Sequence, residues 1–278
     1  MPETLTIAYI AGDDAAYDGL FALSLRQSAR VADQIVVIDS SAGETVEYAA
    51  WSARDLAEEK RQITFSYRRV PWQNDYALQR NIALGWSTSD WVLFVDADEL
   101  IDDRFVDGWP GLLQEGKRAY LLPTYNFVNK PGEGLRLSKD GMLKYPDKHA
   151  RLMLNERDLR FGSPMHEQPG RTILDVTNGD GVTTNRLWWP EDEVGELNMH
   201  IHHFGWTRSP EFLRAKLTHR RALEQAAIVS GRAIPEIAET TVDLESGPWA
   251  DRQVFRGKFP ALWDEAALEP RDEGVDHA

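Results

Sequence analysis

Cysteine is absent from all 278 residues. That excludes disulfides, thiolate metal sites and cysteine nucleophiles, and leaves oxygen and histidine nitrogen as the ligands a metal would find. Lysine is scarce, with eight among the 31 basic residues, and Asp and Glu together number 45, for a formal net charge of −14. A field of that sign repels nucleic acid on average, so a nucleic-acid acceptor or partner is disfavoured. No apolar run approaches the roughly 18–20 residues that span a bilayer. The start, Met1-Pro2-Glu3-Thr4, lacks the basic segment of a secretory leader, and a cytoplasmic location is the expectation. Two phosphate-binding signatures are also missing. No G-x-G-x-x-G turn follows a strand and no G-x-x-x-x-G-K-[ST] occurs, so any phosphate is held by something other than a glycine-rich loop.

What is present begins with an alternation of short β-type runs and helical segments. Thr4–Ile10, Gln34–Ile38, Ile63–Val70 and Trp91–Val95 read as strands, and QIVVI and WVLFV have the continuous apolar character of strands buried on both faces. Leu20–Val31, Glu44–Arg61 and Asp75–Gly85 read as the intervening helices. A β-α-β-α-β-α-β order predicts an α/β fold with a parallel sheet flanked by helices. Beyond about residue 110, Gly, Pro and Trp become frequent. Ala119–Pro123 and Arg151–Leu154 read there as short strands and Pro210–Ser230 as a long helix. The expected division is a first half over 1–110, a second half of the same domain over 111–264, and an acidic tail over 265–278.

Open parallel sheets bind ligands beyond the carboxyl ends of their strands. Strand one ends at Gly12-Asp13-Asp14, strand two at Asp39, and strand four at Asp96-Ala97-Asp98-Glu99. Two carboxylates one residue apart after a buried strand suit Mg²⁺ or Mn²⁺, which take one or two carboxylates plus substrate phosphate oxygens. Upstream, Asp75, Arg80 and Asn81 are spaced so that Arg80 can face the crevice of the D-x-D, where its planar fork matches phosphate. The competing reading is a surface arginine capping a helix.

WQNDYALQRNIALGWSTSDWVLFVDADEL, residues 72–100, resembles the middle of a family 2 glycosyltransferase of the GT-A fold: an acidic residue, an aromatic, Arg-Asn-x-Ala, then a strand ending in D-x-D-E. Bacterial lipopolysaccharide-core and polysaccharide glucosyltransferases are the most similar members. The resemblance implies a GT-A fold with a C-terminal acceptor-side lobe. It further implies a nucleotide-diphosphate sugar as donor, UDP favoured as carrier, and Mn²⁺ or Mg²⁺ as cofactor. VVIDSSAGET resembles the family's second-strand motif, which assigns Asp39 to the nucleotide's base or ribose. Asp75, Arg80, Asn81, Asp96 and Ala97 fall on the donor side, with Asp98 the main metal ligand and Asp96 a ligand or ribose contact. The family usually has Asn-Glu after strand one; here Asp13 and Asp14 stand in that place.

Two downstream segments extend the match. RFGSPMHE, residues 160–167, resembles the acceptor-side segment, making Glu167 the candidate base that deprotonates the attacking hydroxyl, with Asp147 second. The competing role for Glu167 is to hold a loop by pairing with Arg151 or Arg160. In HIHHFGW, strand spacing sets His200 and His202 on one face and His203 on the other, against a compact zinc site. The resemblance makes His203 a third metal ligand or a diphosphate contact. Lys216, Arg220 and Arg221 either meet phosphate or form a solvated helix face. Trp188, Trp189 and Trp206 suit either sugar stacking or a core. Adjacent residues of a strand cannot both point inward, so one of Trp188 and Trp189 is a candidate for lining a groove.

The function expected is a metal-dependent, inverting glycosyltransferase acting on a glycan, a protein or another hydroxyl acceptor. The alternatives are a non-catalytic sugar-nucleotide or glycan-binding module and a sugar-1-phosphate nucleotidyltransferase. The latter needs a glycine-rich basic loop where Ala11–Asp14 stands. A haloacid-dehalogenase-type phosphatase needs its D-x-D on the first strand, with Thr or Val where Leu100 stands.

Overall fold

A computed structural model of the chain describes residues 3–16, 19–60, 63–128, 136–138, 147–162, 168–170, 172–177, 183–208, 210–229, 252–254 and 260. Among them an 11-stranded mixed sheet organises the fold. Its parallel part is β1 (Leu5–Ala11), β2 (Gln34–Asp39), β3 (Thr64–Arg69) and β4 (Trp91–Phe94), in the spatial order β4-β1-β2-β3. α1 (Leu20–Ser28), α2 (Thr45–Lys60) and α3 (Tyr76–Trp86) connect them. These are the strands and helices the apolar spacing predicts, and their alternation gives the α/β GT-A architecture.

Every residue of β2 and of β4 is buried, as continuous apolar runs require. The pleat sends alternate side chains to opposite faces. Leu5, Ile7, Tyr9, Ile35 and Val37 join one core with Phe21 and Leu25 of α1, while Ala8, Val36, Ile38, Val92 and Phe94 join another with Ala77, Ala83 and Leu84 of α3. Trp189 is buried in the second core, so of the Trp188-Trp189 pair it is the one that points inward. The side chain of Trp188 lies outside the described residues.

Beyond β4 the chain passes through β5 (Glu99–Ile101) and the short helix α4 (Asp103–Gly108), and then the sheet turns mixed. β6 (Ala119–Val128) pairs antiparallel with β7 (Arg136–Ser138) and β8 (Asp147–Leu154), and β8 closes against β4. β9 (Arg160–Gly162) and β10 (Gln168–Gly170) form one small hairpin, β11 (Thr172–Thr177) and β12 (Thr183–Trp188) another. β13 (Val194–Glu196) and β14 (Ile201–Trp206) both add to β6. α5 (Pro210–Val229) packs Leu213 and Leu217 on Val128 and Trp206, and β15 (Arg252–Val254) pairs with β7. Trp206 is therefore a core residue that seats α5. The acidic tail expected over 265–278 lies outside the described residues. No helix among the described residues is long and apolar enough to cross a membrane.

β5 is not among the strands expected from the sequence, and one buried side chain holds it. The Gln27 amide of α1 donates to the Ile101 carbonyl at 2.6 Å and accepts from the Ile101 N–H at 2.7 Å, in place of a neighbouring strand. β5's other edge pairs with β14. Gln27→Leu leaves both Ile101 groups without that partner inside the core, at roughly 1–3 kcal/mol for a desolvated backbone pair. Urea unfolding is expected to show a loss of about 2 kcal/mol; no loss would mean that β5 does not depend on Gln27.

Candidate active site

The parallel register sets the site's two ends. Ala11 and Asp39, the last residues of β1 and β2, are paired, and the Val95 N–H bonds the Ala8 carbonyl, so the loops after β1, β2 and β4 leave the same sheet edge. With β1 between them, β2 and β4 are two strand spacings apart, about 10 Å.

At the β2 end, the Asp39 carboxylate is fully buried. It accepts from the Ser41 N–H at 2.7 Å and from the Tyr67 hydroxyl of β3, with the Arg69 guanidinium 3.8 Å away. Burial and the adjoining Asp39 carboxylate push the Tyr67 hydroxyl up, so it stays protonated and donates. Trp51 of α2 packs against the Tyr67 ring with centroids 5.8 Å apart. Asp13 accepts from the Ala42 N–H at 2.8 Å and so ties the loop after β1 to the loop after β2. The Asp14 side chain is outside the described residues. Tyr67 and Arg69 of β3 and Trp51 of α2 escape sequence reasoning because their place beside Asp39 depends on how β3 and α2 pack against β2.

At the β4 end the two aspartates part company. Asp96 accepts from Arg80 of α3 at 2.7 Å and from Arg151 of β8 at 3.3 Å, and Arg151 continues to Glu99 at 2.8 Å. Glu99 in turn accepts from the Asp96 N–H at 2.8 Å. Burial alone would raise the Asp96 carboxyl, but the two guanidinium groups outweigh it and hold the group well below the usual carboxylate range. Glu99 goes the other way: burial pushes it up, Arg151 opposes and the Asp96 charge adds to the rise. Arg80 is itself buried, with the Phe94 and Phe161 rings 5.6 and 5.8 Å from its guanidinium carbon. It faces the D-x-D as its spacing predicts, and its charge is spent on Asp96.

Asp98 lies free of that lock. Its Oδ1 stands 3.6 Å from His203 Nε2 and its Oδ2 3.4 Å from the Lys216 ammonium. Burial raises Asp98 as well, and Lys216 and His203 more than compensate, leaving it well below the usual range. Strand pairing delivers these groups. On β14, His203 is in register with Glu99 of β5 on one side and with Asn126 of β6 on the other. The Phe204 N–H bonds the Asp98 carbonyl at 2.9 Å. Asn126 Oδ1 lies 2.7 Å from His203 Nδ1 and orients the ring so that Nε2 faces Asp98. Burial opposes a charge on the imidazole, but the Asp98 carboxylate outweighs it and raises the His203 pKa. A Cβ on Gly205 would stand 2.5 Å from both Asp98 Oδ2 and His203 Nε2, so only glycine leaves this cradle open.

The cradle fits a hard divalent cation held at two points. Two ligands at ~2.1 Å from one ion sit roughly 3–4 Å apart, the Asp98–His203 separation falls in that range, and a histidine ligand characteristically donates its other N–H to an oxygen. Among the described residues no three His, Asp or Glu side chains converge on one point. Asp96, expected as a second ligand or a ribose contact, is paired in this structure with Arg80 and Arg151. His200 stacks on Tyr125 at 4.1 Å with its Nδ1 3.1 Å from Arg104, and His202 is buried parallel to Phe127, so the three histidines serve separate ends.

Three further donor-side candidates make structural contacts. Asp75 is the N-cap of α3 and accepts from the Leu78 N–H at 2.9 Å. Both polar atoms of the Asn81 amide bond the Phe161 backbone, at 2.9 and 2.7 Å, so Asn81 is a strut between α3 and β9. The Ala97 methyl packs in the core with Tyr9 and Phe105. Glu167 lies outside the described residues, as does the side chain of Asp147. Arg151, weighed as a partner for Glu167, belongs to Asp96 and Glu99. Lys216 reaches Asp98, Arg221 is exposed, and the Arg220 side chain is outside the described residues.

The family profile described as "Glycosyl transferase family 2" matches residues 22–164, just over half of the chain. The chain belongs to glycosyl transferase family 2. The match runs from α1 through both aspartates of the D-x-D to β9. A TPR repeat-containing protein from Synechococcus elongatus is 27% identical over 103 residues, 37% of this chain and 23% of that protein. Among solved structures, S. aureus TarS in complex with UDP-GlcNAc is 13% identical over 79% of this chain and 66% of that one, with a TM-score of 0.42. The mannosyltransferase PcManGT from Pyrobaculum calidifontis, in complex with GDP-Man and Mn²⁺, is 20% identical over 43% and 35%, with a TM-score of 0.35. This family 2 chain thus spans less than two thirds of the length of each of these relatives.

The Asp96 lock has a pH signature. A carboxylate depressed in the folded state contributes stability above its unfolded pKa near 4 and loses it as pH falls below that value. Asp96→Asn is expected to be less stable than the wild type at pH 7, the gap narrowing by about 1 kcal/mol by pH 3. Equilibrium unfolding at the two pH values checks this; a gap that stays constant or widens would show that Asp96 is not held as the paired anion.

Proposed function

We propose that the chain is a divalent-metal-dependent, inverting glycosyltransferase. It moves a sugar from a nucleotide-diphosphate donor, with UDP the favoured carrier, to a hydroxyl of a glycan, a protein or another acceptor. The observation that carries this reading is the cradle of Asp98, His203 Nε2 and Gly205. It stands at the carboxyl edge of a parallel sheet, two strands from the buried Asp39.

In this scheme the β2 end, with Asp39 fixed by Tyr67 and Ser41 and flanked by Arg69, takes the nucleoside. Asp98 and His203 would hold Mg²⁺ or Mn²⁺ beside the diphosphate. A bound cation there supplies a Lewis acid that neutralises the departing diphosphate. The Arg80–Asp96–Arg151 lock keeps the Asp98 backbone in place, so this charge stabilisation needs no reorganisation during transfer. Glu167 takes the proton of the acceptor hydroxyl as that oxygen attacks the anomeric carbon. The bond from that carbon to the phosphate oxygen breaks on the opposite face, the nucleoside diphosphate leaves as the anion, and configuration inverts. The formal charge of −14 disfavours nucleic acid as acceptor.

Calorimetric titration with UDP, GDP, CDP and dTDP, with and without Mn²⁺, tests the donor side. One nucleotide, UDP in the first instance, is expected to bind in Mn²⁺, and Asp98→Asn to weaken that binding at least tenfold. Failure of every nucleotide to bind in metal would remove the reading. Glu167→Gln is expected to abolish transfer to an added acceptor while leaving donor affinity unchanged; retained transfer would move the base elsewhere.

A further inference from the structure

Lys216 sits where a solvated helix face is expected, yet its ammonium stands 3.4 Å from Asp98 Oδ2. The same carboxylate offers Oδ1 toward His203 Nε2, so one anion faces both the metal cradle and a lysine ammonium. The helix carrying that charge is anchored. Leu213 and Leu217, on either side of Lys216, are buried against Val128 and Trp206. The lysine's Cα is therefore held while its four-carbon stem, about a third exposed, remains able to swing.

An ammonium and a divalent ion on one carboxylate repel each other at this separation, in a site where water screens them poorly. The two are compatible only when a further anion arrives to be shared, and a diphosphate is such an anion. We propose that Lys216 is the resident counter-ion of Asp98, displaced when a divalent cation binds and transferred to the diphosphate of the donor, so that metal and donor bind synergistically. This assignment rests on the metal-dependent reading above. It makes Lys216 a gate against futile metal loading and a clamp once donor is present. By linkage, whatever factor donor adds to metal affinity, metal adds to donor affinity.

Mn²⁺ affinity measured from the EPR signal of free Mn²⁺, on the full chain with and without UDP, tests the inference. In the wild type, UDP is expected to tighten Mn²⁺ binding strongly. Lys216→Met keeps the aliphatic stem and removes the charge, so Mn²⁺ alone is expected to bind about tenfold tighter or more, while UDP binding at saturating Mn²⁺ weakens. Lys216→Arg retains the charge and is expected to keep weak metal binding without UDP. Lys216→Gln serves as the neutral variant if Lys216→Met does not fold. A purely structural role would weaken binding in both states. Unchanged or weaker binding of Mn²⁺ alone by the neutral variants, with UDP-dependent Mn²⁺ binding intact in the wild type, would overturn the counter-ion role and leave the glycosyltransferase reading standing. Absence of Mn²⁺ binding by the wild type even with UDP would overturn the metal-dependent reading and this inference together.

Discussion

Four side chains from four parts of the chain, Arg80 on α3, Asp96 after β4, Glu99 on β5 and Arg151 on β8, make a chain of ion pairs at the carboxyl edge of the sheet. Charges removed from water are tolerated only when they are paired and hydrogen-bonded, and removing one partner of a buried pair costs about 3–5 kcal/mol. The arrangement therefore has little freedom. It ties a strand of the parallel part to an antiparallel strand from the later half of the chain, and it fixes the backbone between Asp96 and Glu99. Asp98, the residue in between that the lock leaves out, is thereby aimed at β14 and α5.

That division gives the D-x-D two distinct jobs. The first aspartate is held ionised by two arginines. The second faces His203 and Lys216 and is the one proposed to meet a cation. The remaining parts come from sheet register, since β5 and β6 flank β14 and set Glu99 and Asn126 beside His203. Asn126 then orients the imidazole and Gly205 keeps the cradle open. Membership of glycosyl transferase family 2 and this geometry are the two grounds of the proposed chemistry, in which Asp98 and His203 would serve a diphosphate and Asp39 a nucleoside.

Much of the fold is legible in the residues. Buried parallel strands need continuous apolar runs, and QIVVI and WVLFV stand out for that reason. β5 does not, because three residues carrying a glutamate have no strand signature, and their strand state depends on Gln27 and β14 far away in sequence. The site divides in the same way. Asp39, Arg80, Asp96, Asp98 and His203 are visible because strand ends and spaced motifs flag them. What their side chains touch is not. That Asn81 bonds the Phe161 backbone and Asp75 caps α3 is invisible until the fold is known. Lys216 looks solvated until α5 is docked on Trp206. Tyr67, Asn126 and Glu99 acquire their roles only through cross-strand pairing, which no local pattern encodes.

The central claim is that Asp98 and His203, rather than the pair of D-x-D aspartates, hold the cation. Pulsed EPR on the Mn²⁺–UDP complex of the full chain tests it most directly, because a ligating imidazole nitrogen modulates the Mn²⁺ echo. One histidine ¹⁴N coupling is predicted in the wild type and in Asp96→Asn, and none in His203→Gln. A Mn²⁺–UDP complex without nitrogen coupling, or a coupling that survives in His203→Gln, would contradict the account.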